Sequence, residues 1–172
     1  MLLEEKYKTI EEVIPHRKGM KLIDKIISLD KDQIICEAII TDKNLFYDNK
    51  INGVNALIGA EFIAQTVSAF SGSIAKDKNN ENKTPNIGFL LSVRNFSSKI
   101  THFNLGNKLD IKAKRIYLAN GVGVFEGKII IDNKEVISAK INAYQPDKEK
   151  IKLILKGEHK IWIQAKNKKE KF

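Results

Sequence analysis

The chain is short of the residues that anchor special chemistry. Cys36 is its single cysteine in 172 residues, so no intrachain disulfide can form, which suits a reducing cytoplasm. Its three histidines, His16, His102 and His159, are scattered. With one cysteine they match no zinc-ligand spacing. A Gly-rich phosphate loop is missing: "ANGVGVFEG" reads as a hairpin, not as a turn opening a helix. No serine stands at a nucleophile elbow, so acyl-enzyme chemistry has no candidate. We therefore expect no metal and no cofactor. An apolar leader is missing too, because "MLLEEKYKTIEEVI" places acidic residues where a secretory signal needs a hydrophobic run. Residues 51–75 are long enough to raise a membrane span. Glu61, Gln65, Asn52, Asn55 and several hydroxyls within them would be costly in lipid, so no span is expected.

Positive charge is abundant. Lys and Arg number 30 against 21 Asp and Glu, a net charge of +9. Such an excess can mark a nucleic-acid or membrane partner. Clusters of aromatic and basic residues that stack bases are absent, however. Part of the excess sits in the tail "KNKKEKF", and the shared abundance of Lys, Asn and Ile looks like codon bias. No nucleic-acid partner is expected; an acidic protein would suit the basic surface. A hydrophobic content of 42% in a chain of this length allows one domain with a real core.

The apolar periodicity places the elements. "YKTIEEVI" has helical spacing and stops at Pro15, which predicts a short N-terminal helix. "KLIDKIISLDKDQIICEAIIT" predicts two strands around a turn, with Ile34, Cys36, Ala38 and Ile40 on one face. Cys36 is thus expected in the core. "DKNLFYDNKINGVN" reads as irregular. A long buried helix follows, capped by Asn55, with Gly72 near its far end. Leu57, Ile58, Phe62, Val67 and Phe70 spread around more than one of its faces. "KDKNNENKTPN" reads as a polar loop. Four strands come next: "IGFLLSVRNF", "KLDIKAKRIYL", "GVGVFEGKIII" and "EVISAKINAYQ", the last two joined by the turn "DNKE". Sequential strands on short turns imply an antiparallel sheet, and one buried helix against it gives an α+β plan. We expect a single domain over 1–146 and a basic C-terminal extension over 147–172, with a short helix or strand in it.

Several motifs carry a family resemblance. "IPHRKGMKLIDKIISLD" resembles the opening of the FabZ-type 3-hydroxyacyl-ACP dehydratases, and "AEFIAQTVSAFSG" resembles their central helix. Gly59 with Glu61, "GFLL" at Gly88, "GVFEG" at Gly123 and "NAYQP" at Asn142 resemble the ApeP-like dehydratases of aryl polyene biosynthesis. The resemblance spans roughly Ile14 to Pro146. It implies the hotdog fold, an antiparallel sheet wrapped around a long central helix. It also implies a cytoplasmic dehydratase that takes an acyl carrier protein (or coenzyme A) thioester. Hotdog chains pair, so a homodimer or a heterodimer with a related hotdog subunit is expected. One departure stands out. FabZ and FabA carry a catalytic histidine just before the helix, whereas "NLFYDNKINGVN" has none.

Dehydration of a 3-hydroxyacyl thioester needs a base at C2, an acid at the C3 hydroxyl and donors at the thioester oxygen. Glu61 suits the acid, because burial would favour its neutral form. Gln65, one turn later, can orient that carboxyl. His16 in "IPHRK" is the candidate base, while His102 reads as structural and His159 as exposed. The helix start at Asn55, Ala56 and Leu57 is the candidate thioester site. Three alternatives stay open. Glu61 could simply be satisfied by Arg17 or Arg94, and His16 could merely bond a backbone group at the tunnel. The chain could be a non-catalytic or half-active partner subunit. It could also be a hotdog thioesterase, in which one carboxylate activates water.

Overall fold

A computed structural model describes residues 9–79, 87–146 and 151. Its strands are β1 (Lys25–Leu29), β2 (Gln33–Ile39), β3 (Tyr47–Asp48), β4 (Gly53–Asn55), β5 (Phe89–Ser98), β6 (His102–Asn104), β7 (Lys108–Ala119), β8 (Val122–Ile131) and β9 (Lys134–Tyr144). The helix α1 spans Gly59–Asn79 and follows a 3-10 turn over Ala56–Ile58. Six strands form one antiparallel sheet in the order β1-β2-β7-β8-β9-β5. This is the expected hotdog arrangement, with the sheet around a single central helix.

The strands form where side chains alternate. Ile34, Cys36 and Ala38 on β2 are fully buried, and so are Leu109 and Ile111 on the neighbouring β7. Their charged neighbours Lys108 and Lys114 are exposed. Two tight turns join the long strands. Asn120 and Gly121 both have positive φ, as do Asp132 and Asn133. That is the backbone a two-residue hairpin requires, and Asn, Asp and Gly adopt it at the lowest cost.

The helix buries Phe62, Ile63, Thr66, Val67, Ala69 and Phe70. Phe62 meets Phe103 edge-on at 5.7 Å between centroids, and Phe70 meets Phe125 at 5.9 Å. Such aromatic pairs add about 0.5–1.5 kcal/mol beyond their buried area. Ile63 packs over Gly127, where a Cβ would collide with it. The stretch Ala56–Ala75 is long and apolar enough to cross a membrane by length and composition. Here half of that window is buried inside the molecule.

Several local expectations need correction. Among the described residues of the expected N-terminal helix, Ile10–Glu12 form a 3-10 turn, closed where the Thr9 N–H meets Glu12 Oε1 at 3.3 Å, while Tyr7 and Lys8 lie outside the described residues. Pro15 leaves no room for a second turn. The stretch read as irregular holds β3 and β4, which pair with β6 in a second, three-stranded sheet. Strands this short carry no visible periodicity. Gly72 does not end the helix. It sits against the Val13 carbonyl, where a Cβ would overlap the backbone, and the helix runs on to Asn79. The first four residues of the presumed polar loop are therefore helical. Leu57, read as part of the buried helix, is 69% exposed. The rest of that loop and the extension, apart from Ile151, which is helical, lie outside the described residues, as does His159.

Candidate active site

The segment before β1 brings His16 to the helix. Ile14 is fully buried and anchors it. Arg17 folds back so that its Nη1 donates to the carbonyls of Ile14 at 2.6 Å and His16 at 2.8 Å. Glu61 projects from the first turn of α1. His16 Nε2 and Glu61 Oε1 stand 3.7 Å apart. The separation is too long for a hydrogen bond and short enough to serve adjacent atoms of one substrate.

Gln65 fixes the carboxyl. It is fully buried. Its Oε1 accepts the Leu22 N–H at 2.8 Å. Its Nε2 donates to the Met20 carbonyl at 2.8 Å and to Glu61 Oε1 at 2.9 Å. One side chain thus ties the helix to the segment carrying His16. Among the described residues Glu61 meets His16 and Gln65 and pairs with no arginine. Arg17 is spent on carbonyls, and Arg94 lies exposed on β5.

His16 and Glu61 both line a cavity of about 450 Å³ between α1 and the sheet. The cavity exists because both walls are built from small residues. Ala64, Ser68 and Ser71 follow Glu61 along one helix face, opposite Gly123 and Ala143 on the strands. Phe89, Phe125 and Tyr144 give the rest of the wall an apolar, aromatic character. Such a void suits an acyl chain. Sequence reasoning missed these wall residues. No local pattern set 64, 68 and 71 apart, because small residues also stand at 59, 60, 69, 72, 73 and 75 of the same helix.

The environment lowers the His16 pKa from its ordinary 6.5. Loss of water around the ring is the main cause, opposed by the Glu61 charge and aided by Arg17. The imidazole therefore stays neutral near pH 7. Its Nδ1 is buried without a hydrogen-bond partner.

The expected thioester donors lie elsewhere. Neither Asn55, Ala56 nor Leu57 lines the cavity. The Ala56 N–H is bound to the Thr101 carbonyl at 3.0 Å, and the Leu57 N–H to Asn55 Oδ1 at 2.9 Å. Both amides are satisfied within the chain, because the helix entry is a capped 3-10 turn rather than an open end. His102 stands at the start of β6, its Nδ1 2.9 Å from Thr101 Oγ1, and does not line the cavity. Burial pushes the Cys36 thiol up to about 12, which leaves it inert. No group of metal-ligating side chains occurs among the described residues.

The ApeP-like family, described as ApeP dehydratase, matches residues 8–155. The chain belongs to the ApeP-like dehydratase family. Among solved structures it is similar to the dehydratase heterocomplex ApeI:P from Xenorhabdus doucetiae, at 23% identity and a TM-score of 0.78. That match covers 87% of this chain and 98% of the other. A hypothetical thioesterase with coenzyme A from Streptococcus pneumoniae is more distant, at 10% identity and a TM-score of 0.54, covering 71% and 84%. The E. coli PaaI protein from the phenylacetic acid degradation operon gives 12% and 0.53, covering 70% and 82%. These likenesses show the fold. No curated protein matches the chain.

Proposed function

We propose that this ApeP-like chain is a cytoplasmic dehydratase that converts a 3-hydroxyacyl thioester, carried on an acyl carrier protein or coenzyme A, into a trans-2-enoyl thioester. The observation that carries the reading is the meeting of His16 and Glu61 at 3.7 Å on the wall of an apolar cavity. The reaction breaks the C2–H and C3–O bonds and releases water. Two polar groups this close, at least one of them able to take and give a proton, can serve both carbons of one substrate. The acyl tail would run along Ala64, Ser68 and Ser71, away from the pair. Gln65 would keep the carboxyl aimed at the substrate.

A second hotdog subunit belongs to the reading. The ApeI:P neighbour is a heterocomplex, and β1 and β5 leave two sheet edges for pairing. Asn55 and Leu57, exposed at the helix entry, would then face the thioester of a substrate held between subunits. The thioesterase reading is weaker, because hydrolysis by one carboxylate gives His16 no part.

Product analysis tests this directly. The purified protein is given a 3-hydroxyacyl thioester, alone and with a related hotdog subunit added. Enoyl thioester and water are the expected products. Free 3-hydroxy acid would mean a thioesterase. No turnover in either mixture would leave a structural subunit.

A further inference from the structure

We propose that Glu61 alone carries the proton from C2 to the C3 hydroxyl, while His16 serves as a fixed Nε2–H donor rather than as the base. This rests on the dehydratase reading above. It starts from Gln65, whose amide orientation is locked. Its Oε1 accepts from Leu22 and its Nε2 donates to the Met20 carbonyl, so it is Nε2 that also faces Glu61 Oε1. That oxygen is engaged as the acceptor of this N–H. The His16 Nε2 lies toward the same oxygen. Glu61 Oε2 is left as the atom that takes and gives a proton.

The histidine points the same way. A proton on Nδ1 would be a buried donor with no acceptor. Orphaned buried donors are rarer in proteins than orphaned acceptors. The neutral ring is better off with its proton on Nε2, facing the carboxylate and the cavity. An Nε2–H has no lone pair with which to take the C2 proton.

The step balances without a change on His16. Glu61 Oε2 takes the C2 proton as the C2–H electrons move onto the thioester. The C3–O bond then breaks, and the same proton leaves with hydroxide as water. The carboxylate is restored. The His16 N–H holds the departing oxygen or the thioester oxygen throughout, as an electrostatic donor.

Two measurements test this. In 15N-histidine-labelled protein near neutral pH, the His16 Nδ1 is expected to be unprotonated and Nε2 protonated. The reverse tautomer overturns the proposal, and this spectrum requires no turnover. In kinetics, Glu61→Gln is expected to lose at least about 10³-fold in turnover. His16→Gln keeps an N–H near the Nε2 position and is expected to lose about tenfold, while His16→Ala falls about 10²-fold. All three variants are checked for an unchanged far-UV spectrum. If His16→Gln is as inactive as Glu61→Gln, His16 is the base and the proposal fails. If wild type is inert with and without a hotdog partner, the dehydratase reading fails and the proton route with it, whatever tautomer is seen.

Discussion

On one face of α1, Phe62, Ile63 and Phe70 are buried against the sheet. On the next face, Ala64, Ser68 and Ser71 leave a cavity of about 450 Å³. Both faces meet glycines on the same strand. Gly127 is covered by Ile63, whereas Gly123 lines the cavity. A small residue opposite a large one closes a packing contact. Small residues on both walls open a binding site. The first face packs the core, and the second leaves the cavity that we propose holds the acyl tail.

Substitutions should separate the two faces. The largest expected effect on stability is Phe62→Ala, which empties a fully packed position and should cost about 3–5 kcal/mol in denaturant unfolding. Gly127→Ala overpacks the same face against Ile63 and should cost about 1–3 kcal/mol. Ser68→Leu does the opposite. It fills the cavity, so stability should hold within about 1 kcal/mol while turnover of long acyl substrates falls more than that of short ones. Equal loss of turnover for all chain lengths would mean the cavity does not hold the tail.

The smallest effect concerns His16. Its folded-state pKa lies below 6.5, so between that value and 6.5 the unfolded chain binds a proton that the folded chain refuses. Stability should be fully present above 6.5, fall as pH drops through this window, and level off below it. His16→Gln should flatten this slope in denaturant midpoints taken between about pH 8 and pH 5. An unchanged slope would place the ring in water.

Much of the fold could be read directly from residues. Alternation marked β2, β7, β8 and β9, and "DNKE" marked a hairpin because Asp132 and Asn133 tolerate positive φ. His16, Glu61 and Gln65 were legible through the family motifs, and their convergence depends on Gln65 bridging segments 43 and 45 residues apart. The amides of Ala56 and Leu57, expected as donors, are held within the chain by Thr101 and Asn55. Thr101 is distant in sequence, and no local pattern announces such a bond. The cavity was hidden for the same reason: its two walls come from a helix and from strands that meet only in the folded chain.

The most direct test is a structure of the protein, with its hotdog partner where one is required, bound to a non-reactive 3-hydroxyacyl thioester analogue. Our account expects C2 and C3 between His16 and Glu61, with the tail along Ala64, Ser68 and Ser71. An acyl chain bound away from Glu61, with the cavity empty, would contradict it.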